Sequence, residues 1–418
     1  MTLTIARADL SAGTTTPSES AAVTSSSAHL IRSDTEAIEV AHRVAAQLVV
    51  GASERDRLRR LLPEELDLYS RSGLWGITVP KEYGGAGASH VTLAEVVKVI
   101  SAADPSIGQI PQNHYCLVDA IRLEGSEKQK RFFFDQVLSG KRFGNAFSES
   151  GGKHVLDIQT RIRRDGDTFL LNGKKFYSTG ALFAQWVPVW ALDEENKGLL
   201  AFVERDAAGL TIIDDWSGFG QRTTASGTVI AENVPVTPFQ LIYSHQSYDR
   251  PTTAGPLAQI IQAAVDAGIA RAAIDETISF VKIRSRPWVD SNLDRASDDP
   301  YTIAAIGDLK IRLHAAEALL ERSGRAIDQA VPAPSDENVA AASIAVAEAK
   351  ALTTEIAILA TNKLFELAGT RSTLAEYNLD RHWRNARTHT LHDPVRWKYH
   401  AVGNYYLNQV NPPRHSWI

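Results

Sequence analysis

The chain has 418 residues, of which 44% are hydrophobic, and its formal net charge is -5 at pH 7. This length and apolar content allow two or three packed units. The small negative charge and the lack of a long basic run give no indication of binding to nucleic acid or to an anionic membrane surface, and no apolar run approaches the length of a membrane span.

The N-terminal segment is rich in Ser, Thr and Ala and lacks the continuous apolar core of a signal peptide. This composition predicts a disordered tail over residues 1–34 and a cytoplasmic protein. Sulfur-containing residues are almost absent, because Cys116 is the only cysteine and Met1 the only methionine. There is thus no intrachain disulfide and no cysteine metal cage. The low sulfur content fits either compositional drift or a protein made when sulfur is scarce.

Residues 35–142 are predicted to form an N-terminal helical domain. The segment DTEAIEVAHRVAAQLVVGASERDR has apolar residues near helical spacing, with Asp34 as a possible N-cap, and TLAEVVKVISAAD is a second helical segment. Between them lies the glycine-containing segment VPKEYGGAGASH. It is not placed between a clear strand and a phosphate-binding helix, so a plain Gly-rich loop is favoured over a dinucleotide fingerprint.

Residues 143–240 are predicted to form a central β domain. The segment RIRRDGDTFLLNGKKFYSTGA alternates around Asp165-Gly166 and Asn172-Gly173, which are dipeptides typical of turns between short strands. The segments WVPVWAL, GLLAFVERD and GLTIIDDW continue the strand pattern.

Residues 241–418 are predicted to form a C-terminal helical bundle. Two long Ala-rich segments flank GDLKIRLHAAEALLERSGRAI, and the second of them ends at Gly369, a predicted C-cap. Long apolar helices of this kind suit a four-helix bundle. Their Ala-rich faces could also pack against other subunits.

Nine motifs occur in a characteristic order and spacing from about residue 35 to the end of the chain. They are LWGITVPKEYGGAG, GQIPQNH, GNAFSES, LNGKKFYSTGA, DDWSGFGQRTTASG, SRPW, DDPYTI, FELAGTRST and DRHWRNARTHTLHDP. Together they resemble the acyl-CoA dehydrogenase superfamily, an α+β fold with a helical domain, a central β-barrel or sandwich and a four-helix bundle. Within it the chain resembles the flavin-dependent monooxygenase branch of SfnB-type sulfur-acquisition oxidoreductases and dibenzothiophene monooxygenase.

The resemblance implies an enzyme that uses reduced flavin and O2, through a flavin C4a-hydroperoxide, to oxygenate a small organosulfur compound in sulfur acquisition. It implies reduced FMN rather than FAD, and a homotetramer. No NAD(P)H-binding unit is visible, so a separate flavin reductase is expected as a partner. Acyl-CoA dehydrogenases use a glutamate base, usually in a Glu-Gly-Thr setting near this end of the chain, and NARTHTLHDPVRWKYH has none. An acyl-CoA dehydrogenase-like enzyme or a nitroalkane- or amine-oxidising flavoenzyme is the alternative, and a helical oligomer without flavin is a third.

Five residues of the β domain are candidates for the flavin ring. Asn145 and Ser148 either bind the edge of the ring or form an ordinary strand-edge turn, and the resemblance implies flavin contact. It also implies that Tyr177 and Thr179 line the ring, with the Thr179 hydroxyl near its reactive edge. Trp216 either shields the ring, forms a wall of the substrate pocket or packs in the core.

Two arginines after long helices are candidates for the flavin phosphate, because guanidinium groups form forked hydrogen bonds to phosphate oxygens. Alone, Arg286 and Arg371 would be solvated surface charges. The resemblance implies that they hold the cofactor phosphate, often from a neighbouring subunit, and that Gly369 allows close backbone approach. Arg284 is the alternative to Arg286.

Three histidines are candidates for catalysis. His114 in QNHYC either is structural or, as the resemblance implies, faces the flavin. His389 and His392 could bind a metal, decorate a surface helix or act as acid and base. The arginine-rich neighbourhood disfavours a cation, so no metal is expected and acid–base work is favoured, with His392 nearer the flavin and His389 supporting it. Asp393 could orient an imidazole.

Overall fold

A computed structural model of the protein describes residues 28–418, so most of the predicted tail lies outside the described residues. The N-terminal helices are α1 (Asp34–Leu48), α2 (Ala52–Leu58), α3 (Pro63–Ser72), α4 (His90–Ala103), α5 (Pro105–Gln109), α6 (Pro111–Glu124) and α7 (Glu127–Leu138). The strands are β1 (Arg161–Asp165), β2 (Thr168–Lys175), β3 (Trp186–Leu192), β4 (Gly198–Glu204), β5 (Leu210–Ile213), β6 (Thr228–Val236) and β7 (Leu241–Ile242). The later helices are α8 (Gln246–Asp249), α9 (Ala254–Ile283), α10 (Pro300–Ala330), α11 (Asp336–Ala368), α12 (Asp380–His389) and α13 (Arg396–Asn408).

The start of the first helix differs by one residue from the prediction. Ser33 is the N-cap of α1 and accepts a hydrogen bond from the Glu36 N–H, so Asp34 is the first helical residue and not the cap. The Asp34 carboxylate instead accepts a hydrogen bond from the hydroxyl of Ser89, the N-cap of α4, at 2.7 Å. It therefore ties the starts of two helices together. VPKEYGGAGASH is a loop containing one short 3-10 turn, as predicted.

The central strands form one mixed sheet of seven strands in the order β5-β6-β2-β1-β3-β4-β7, in which only β1 and β3 pair in parallel among the described ladders. Strands β1 and β2 form a hairpin that turns at Gly166, which has a left-handed backbone (φ +60°). The turn predicted at Asp165-Gly166 is therefore confirmed.

The turn predicted at Asn172-Gly173 is wrong, because both residues lie inside β2. The pairing with β6 shifts register between Leu171 and Gly173, so the dipeptide marks a β-bulge. The Asn172 side chain bonds Asn233 on the neighbouring strand at 3.1 Å. A Cβ atom on Gly173 would lie 2.2 Å from the Thr160 hydroxyl oxygen, so close packing requires the glycine.

The three long helices α9, α10 and α11 pack together in the C-terminal domain, and α9 also packs against α4. Helix α9 is long and apolar enough to cross a membrane, but 89% of its most apolar window is buried within the protein, as in a core helix. Gly369 caps α11 with a left-handed backbone (φ +77°), which confirms the predicted C-cap. The short helix α12 packs on α9 and α11 and carries the first of the two histidines.

Candidate active site

The segment after β2 forms one wall of the candidate site. Tyr177 has left-handed backbone geometry (φ +60°), which is uncommon for a bulky residue, and it is 53% exposed. Thr179 is buried, and its hydroxyl lies 2.7 Å from that of Ser226, which lies 2.7 Å from that of Thr224. The rings of Tyr177 and Trp216 are 6.2 Å apart between centroids. An open aromatic edge therefore stands beside a buried row of hydroxyl groups.

Asn145 and Ser148 lie at the rim of this wall. The Asn145 side chain donates to the Tyr177 carbonyl at 3.3 Å and accepts from the Phe147 N–H at 3.1 Å. The Ser148 carbonyl accepts from the Phe176 N–H at 2.9 Å. Asn145 thus holds two backbone segments in place. The side chain of Ser148 is half-buried and does not hold the backbone in this way.

The same wall has buried polar atoms that no other described residue satisfies. They are the Ser178 hydroxyl oxygen and both side-chain amide atoms of Gln221. Gln221 also has a left-handed backbone (φ +52°), a geometry that concentrates at functional sites. A buried polar atom without a partner costs about 1–3 kcal/mol. A bound group with polar edges, such as a flavin, fits this wall.

Two helices pack closely against glycines of the wall. A Cβ atom on Gly220 would lie 1.9 Å from the Arg384 carbonyl oxygen, so a side chain there would push α12 away. The N–H of the residue after Gly220 donates to Asn385 Oδ1 at 2.6 Å. A Cβ atom on Gly180 would lie 3.1 Å from the Ile110 side chain, directly after α5. The middle of α12 therefore meets the segment around Gly220, and the end of α5 meets the segment that carries Thr179.

His389, the last residue of α12, is buried, with 1% of its side chain exposed. Its Nδ1 lies 2.5 Å from Asp266 Oδ1 on α9. Its Nε2 lies 2.7 Å from Gln262 Oε1 on α9 and 2.9 Å from Gln109 Oε1 on α5. The ring is therefore held by side chains from two other helices, which disfavours the surface-helix interpretation.

His392 lies in the turn after α12, so the helix ends before Pro394 as the sequence indicated. Its Nδ1 lies 2.9 Å from Asp393 Oδ1, and 35% of its side chain is exposed. Asp393 is buried and also pairs with Lys398 of α13 at 3.3 Å. Asp393 thus orients the imidazole, and His392 is the more accessible of the two rings.

Buried charges surround the two histidines. Asp266 Oδ2 accepts from Lys350 at 2.7 Å and from Thr354 at 2.9 Å. Burial opposes ionisation of Asp266, but the charges of Lys350 and His389 outweigh it and lower the pKa of Asp266 to about 2. Burial similarly opposes ionisation of Asp393, yet its hydrogen bond from the neighbouring imidazole and nearby ammonium groups hold its pKa well below the usual range. Burial lowers the pKa of His389.

His114 is not brought to these residues. It is fully buried in the N-terminal domain. Its Nε2 contacts the Trp75 carbonyl at 3.0 Å, and its Nδ1 accepts from the Phe143 N–H at 3.1 Å. Burial lowers its pKa to about 3, so the ring stays neutral. With both nitrogens occupied by main-chain groups, the geometry favours the structural alternative for His114.

The loop after α9 and the end of α11 lie side by side. The Ser285 hydroxyl donates to the Ala368 carbonyl at 3.0 Å. Arg284 lies over the ring of Tyr377 at 5.0 Å, and Arg371 Nε donates to the hydroxyl of the same tyrosine at 3.2 Å. Their shared contact with Tyr377 brings Arg284 and Arg371 to one surface.

Arg286 is exposed one residue beyond Ser285. Gly369 directly follows Ala368, the partner of Ser285, and a Cβ atom built on Gly369 has open space for 4 Å around it. Within residues 28–418, none of Arg284, Arg286 and Arg371 pairs with a carboxylate, and no hydrogen bond links this basic patch to the segment carrying Tyr177. Exposed arginines without a carboxylate partner are suited to bind a phosphate group, including one held by a neighbouring copy.

Metal ligands are not clustered in the part of the chain that the structure describes. No three His, Cys, Asp or Glu side chains there are arranged to hold a metal ion.

The sequence reasoning did not identify Gln109, Gln262, Asp266 or Lys350, which complete the surroundings of His389. A signal was present, because polar residues recur four apart inside long apolar helices, at 262 and 266 in α9 and at 350 and 354 in α11. Residues spaced in this way share one face of a helix. A charged residue in such a face needs a buried partner.

The chain matches the three domain models of one family along most of its length. They are the acyl-CoA dehydrogenase N-terminal domain over residues 34–141, the middle domain over 146–234 and the C-terminal domain over 260–397. The chain therefore belongs to the acyl-CoA dehydrogenase family, and the fold expected from the resemblance is confirmed.

Several proteins similar to it are monooxygenases, as the resemblance indicated. A dibenzothiophene monooxygenase of Rhodococcus erythropolis is 34% identical over 396 residues, which span 91% of this chain and 95% of the relative. The "Probable FMNH2-dependent monooxygenase SfnC" of Pseudomonas putida is 32% identical over 385 residues, 90% of this chain and 96% of the relative. The structure of FMN-bound TdsC from Paenibacillus sp. A11-2 superposes with a TM-score of 0.87 at 30% identity and covers 91% of this chain and 100% of that one.

Proposed function

We propose that this protein is a cytoplasmic, flavin-dependent monooxygenase that uses reduced FMN and O2 to oxygenate a small organosulfur compound in sulfur acquisition. The observation that carries the proposal is the pair of imidazole–carboxylate couples at the end of α12. Asp266 and Asp393 are both buried, and each contacts a histidine and pairs with a lysine. Carboxylates held this strongly in the ionised form are weak bases, which argues against proton abstraction from an acyl-CoA.

The surroundings fit FMN in hydrogen-bonding capacity. Bound in reduced form, FMN would supply the two electrons that activate O2, so that one oxygen atom enters the substrate and the other leaves as water. The open aromatic edge suits the ring, the unsatisfied buried atoms suit its polar edge, and the basic patch of a neighbouring copy suits its phosphate. The residues proposed for these contacts are Tyr177, Thr179, Trp216, Asn145, Ser148, Ser178, Gln221, Arg286, Gly369 and Arg371.

The chain's own contribution to the chemistry is the control of one proton. Asp393 fixes the Nδ1–H of His392, so that its Nε2 is the atom available to hold or release a proton. The second imidazole, that of His389, lies buried behind His392. Dry surroundings strengthen these interactions relative to water.

The proposal includes a separate flavin reductase as partner and a homotetramer as the working assembly. Large apolar side chains on the C-terminal helices and their connecting loop support self-association, since contiguous exposed apolar surface marks interaction sites. Those with 70–83% exposure are Ile283, Trp288, Val289, Tyr301, Ile311 and Leu407. Sedimentation of a monomer that binds FMN and turns over would remove the intersubunit phosphate contact from the proposal.

The function is tested by product analysis with labelled oxygen. The protein is incubated with FMN, a flavin reductase, NADH and ¹⁸O2 against a panel of thioethers, sulfones, sulfinates and sulfonates, and products are identified by mass spectrometry. One ¹⁸O atom per product molecule is the expected result. Desaturation of an acyl-CoA without oxygen incorporation would establish the alternative class, and absence of flavin binding would indicate a non-enzymatic oligomer.

Arg286→Ala is expected to weaken FMN binding roughly ten- to a hundredfold, because a charge-assisted forked contact contributes about 1.5–3 kcal/mol. The measurement is the dissociation constant from flavin fluorescence titration. Arg312→Ala is the matched control, since Arg312 is an exposed arginine that pairs with Asp308 on its own helix. If Arg286→Ala binds FMN as the wild type does and Arg284→Ala does not, the phosphate contact belongs to Arg284.

A further inference from the structure

One glutamine side chain connects the two histidines of the candidate site. Gln262 Oε1 lies 2.7 Å from His389 Nε2, and Gln262 Nε2 lies 3.4 Å from His392 Nε2. The other nitrogen of each ring faces its own carboxylate, with Asp266 at 2.5 Å from His389 and Asp393 at 2.9 Å from His392. The arrangement is therefore two imidazole–carboxylate couples joined by one amide.

The two ends of an amide group have opposite hydrogen-bonding roles. Because Asp266 and Asp393 are held ionised, Nδ1 of each ring carries a proton, and only the Nε2 atoms are free to vary. An amide oxygen can only accept a hydrogen bond, and an amide NH2 group can only donate one. Gln262 is therefore satisfied at both ends when one histidine has an Nε2–H and the other an Nε2 lone pair.

The surrounding charges also oppose an extra proton on both rings at once. Asp266 is paired with Lys350 from α11, and Asp393 is paired with Lys398 from α13, so these four groups cancel. The other polar groups at His389, Gln109 of α5 and Thr354 behind Asp266, carry no charge. A second proton on one ring adds one positive charge to the buried cluster, whereas second protons on both rings add two, which low-dielectric surroundings disfavour.

We propose that the Gln262 amide couples His389 and His392, so that one ring at a time carries a second proton, and that a half-turn of the amide switches which ring it is. In the orientation of the structure the amide oxygen faces His389. The reversed orientation places the proton on His392, the exposed ring, while Gln109 turns its own NH2 group toward His389. The use of this coupling in catalysis rests on the proposed function, whereas the coupling itself does not.

The test is a pH titration of the flavin-free, full-length protein by solid-state ¹⁵N NMR with labelled histidine. The ¹⁵N shifts distinguish a doubly protonated ring from either neutral tautomer, and His389→Gln and His392→Gln identify the two signals by their loss. The pair is expected to take up its two protons in steps more than about one pH unit apart. Uptake by both rings in a single step would overturn the proposal.

Three substitutions separate the amide from simple repulsion between the rings. Gln262→Met keeps the shape but removes both hydrogen-bonding ends, and should bring the two steps closer by about one pH unit or more. Gln109→Met is the matched control, because Gln109 contacts only His389 among the two rings, and it should change the separation less than Gln262→Met does. Gln262→Glu offers an acceptor to both rings, so both should be doubly protonated at neutral pH.

A Gln262→Met protein with the wild-type separation contradicts the coupling. If the Gln262→Met protein does not fold, Gln262→Glu serves as the test by itself. Rings that stay singly protonated at neutral pH in Gln262→Glu contradict the coupling. None of these measurements needs flavin or turnover. A failed titration therefore leaves the monooxygenase proposal standing, and a failed ¹⁸O experiment leaves the coupling standing.

Discussion

Replacing Lys350 by methionine is expected to lower the free energy of unfolding by about 3–5 kcal/mol, because it leaves a buried carboxylate without its charge partner. Lys350 and Asp266 have 1% and 0% of their side chains exposed, and their ion pair of 2.7 Å joins α11 to α9. The Thr354 hydroxyl and His389 remain as partners of Asp266. They supply hydrogen bonds but no fixed positive charge.

Urea denaturation at a fixed protein concentration measures this loss, since association makes the apparent stability depend on concentration. Lys363→Met is the matched control on the same helix. Its pair with Glu366 is largely in solvent, with 32% and 60% exposure, so its loss should cost under about 1 kcal/mol. The double variant Lys350→Met/Asp266→Asn should recover part of the stability, because no unpaired charge remains. Equal stability of Lys350→Met and Lys363→Met would contradict the buried pair.

The elements of the fold were predictable where one local pattern decides the structure. Apolar spacing and the glycine at 369 predicted the long helix α11 and its end, and Asp165-Gly166 predicted a hairpin turn. Asn172-Gly173 carries the same turn chemistry, yet it forms a bulge within β2. The reason lies far away in sequence, because Asn233 and the Thr160 side chain determine what the dipeptide does.

The candidate site was predictable only in part, for a related reason. His389 and His392 attract attention because imidazoles are rare and reactive, whereas Gln262 and Asp266 sit among apolar residues that indicate a core helix. Their meaning depends on which helix packs opposite them. His114 shows the reverse case, since nothing local in QNHYC reveals that Trp75 and Phe143 occupy both ring nitrogens.

The two histidines at the end of α12 should differ in their contribution to oxygen transfer. His392 has 35% of its side chain exposed and is oriented by Asp393. His389 is 1% exposed and faces Gln262, Gln109 and Asp266. His392 is therefore the ring expected to act at the flavin, and His389 the ring that supports it.

His392→Ala is expected to bind reduced FMN normally and to consume O2, but to release hydrogen peroxide in place of oxygenated product. Loss of a positioned acid–base group typically lowers the rate of its step by about 10²–10⁴-fold, so product should fall at least about a hundredfold while oxygen uptake continues. His389→Ala should show a milder version of this uncoupling. His400→Ala is the control, because His400 is an exposed histidine of α13 outside the cluster. The measurement is the ratio of peroxide to product per O2 consumed, with FMN affinity determined in parallel. A His392→Ala enzyme that keeps the wild-type ratio would remove the histidine pair from oxygen transfer, whatever the titration of the two rings shows.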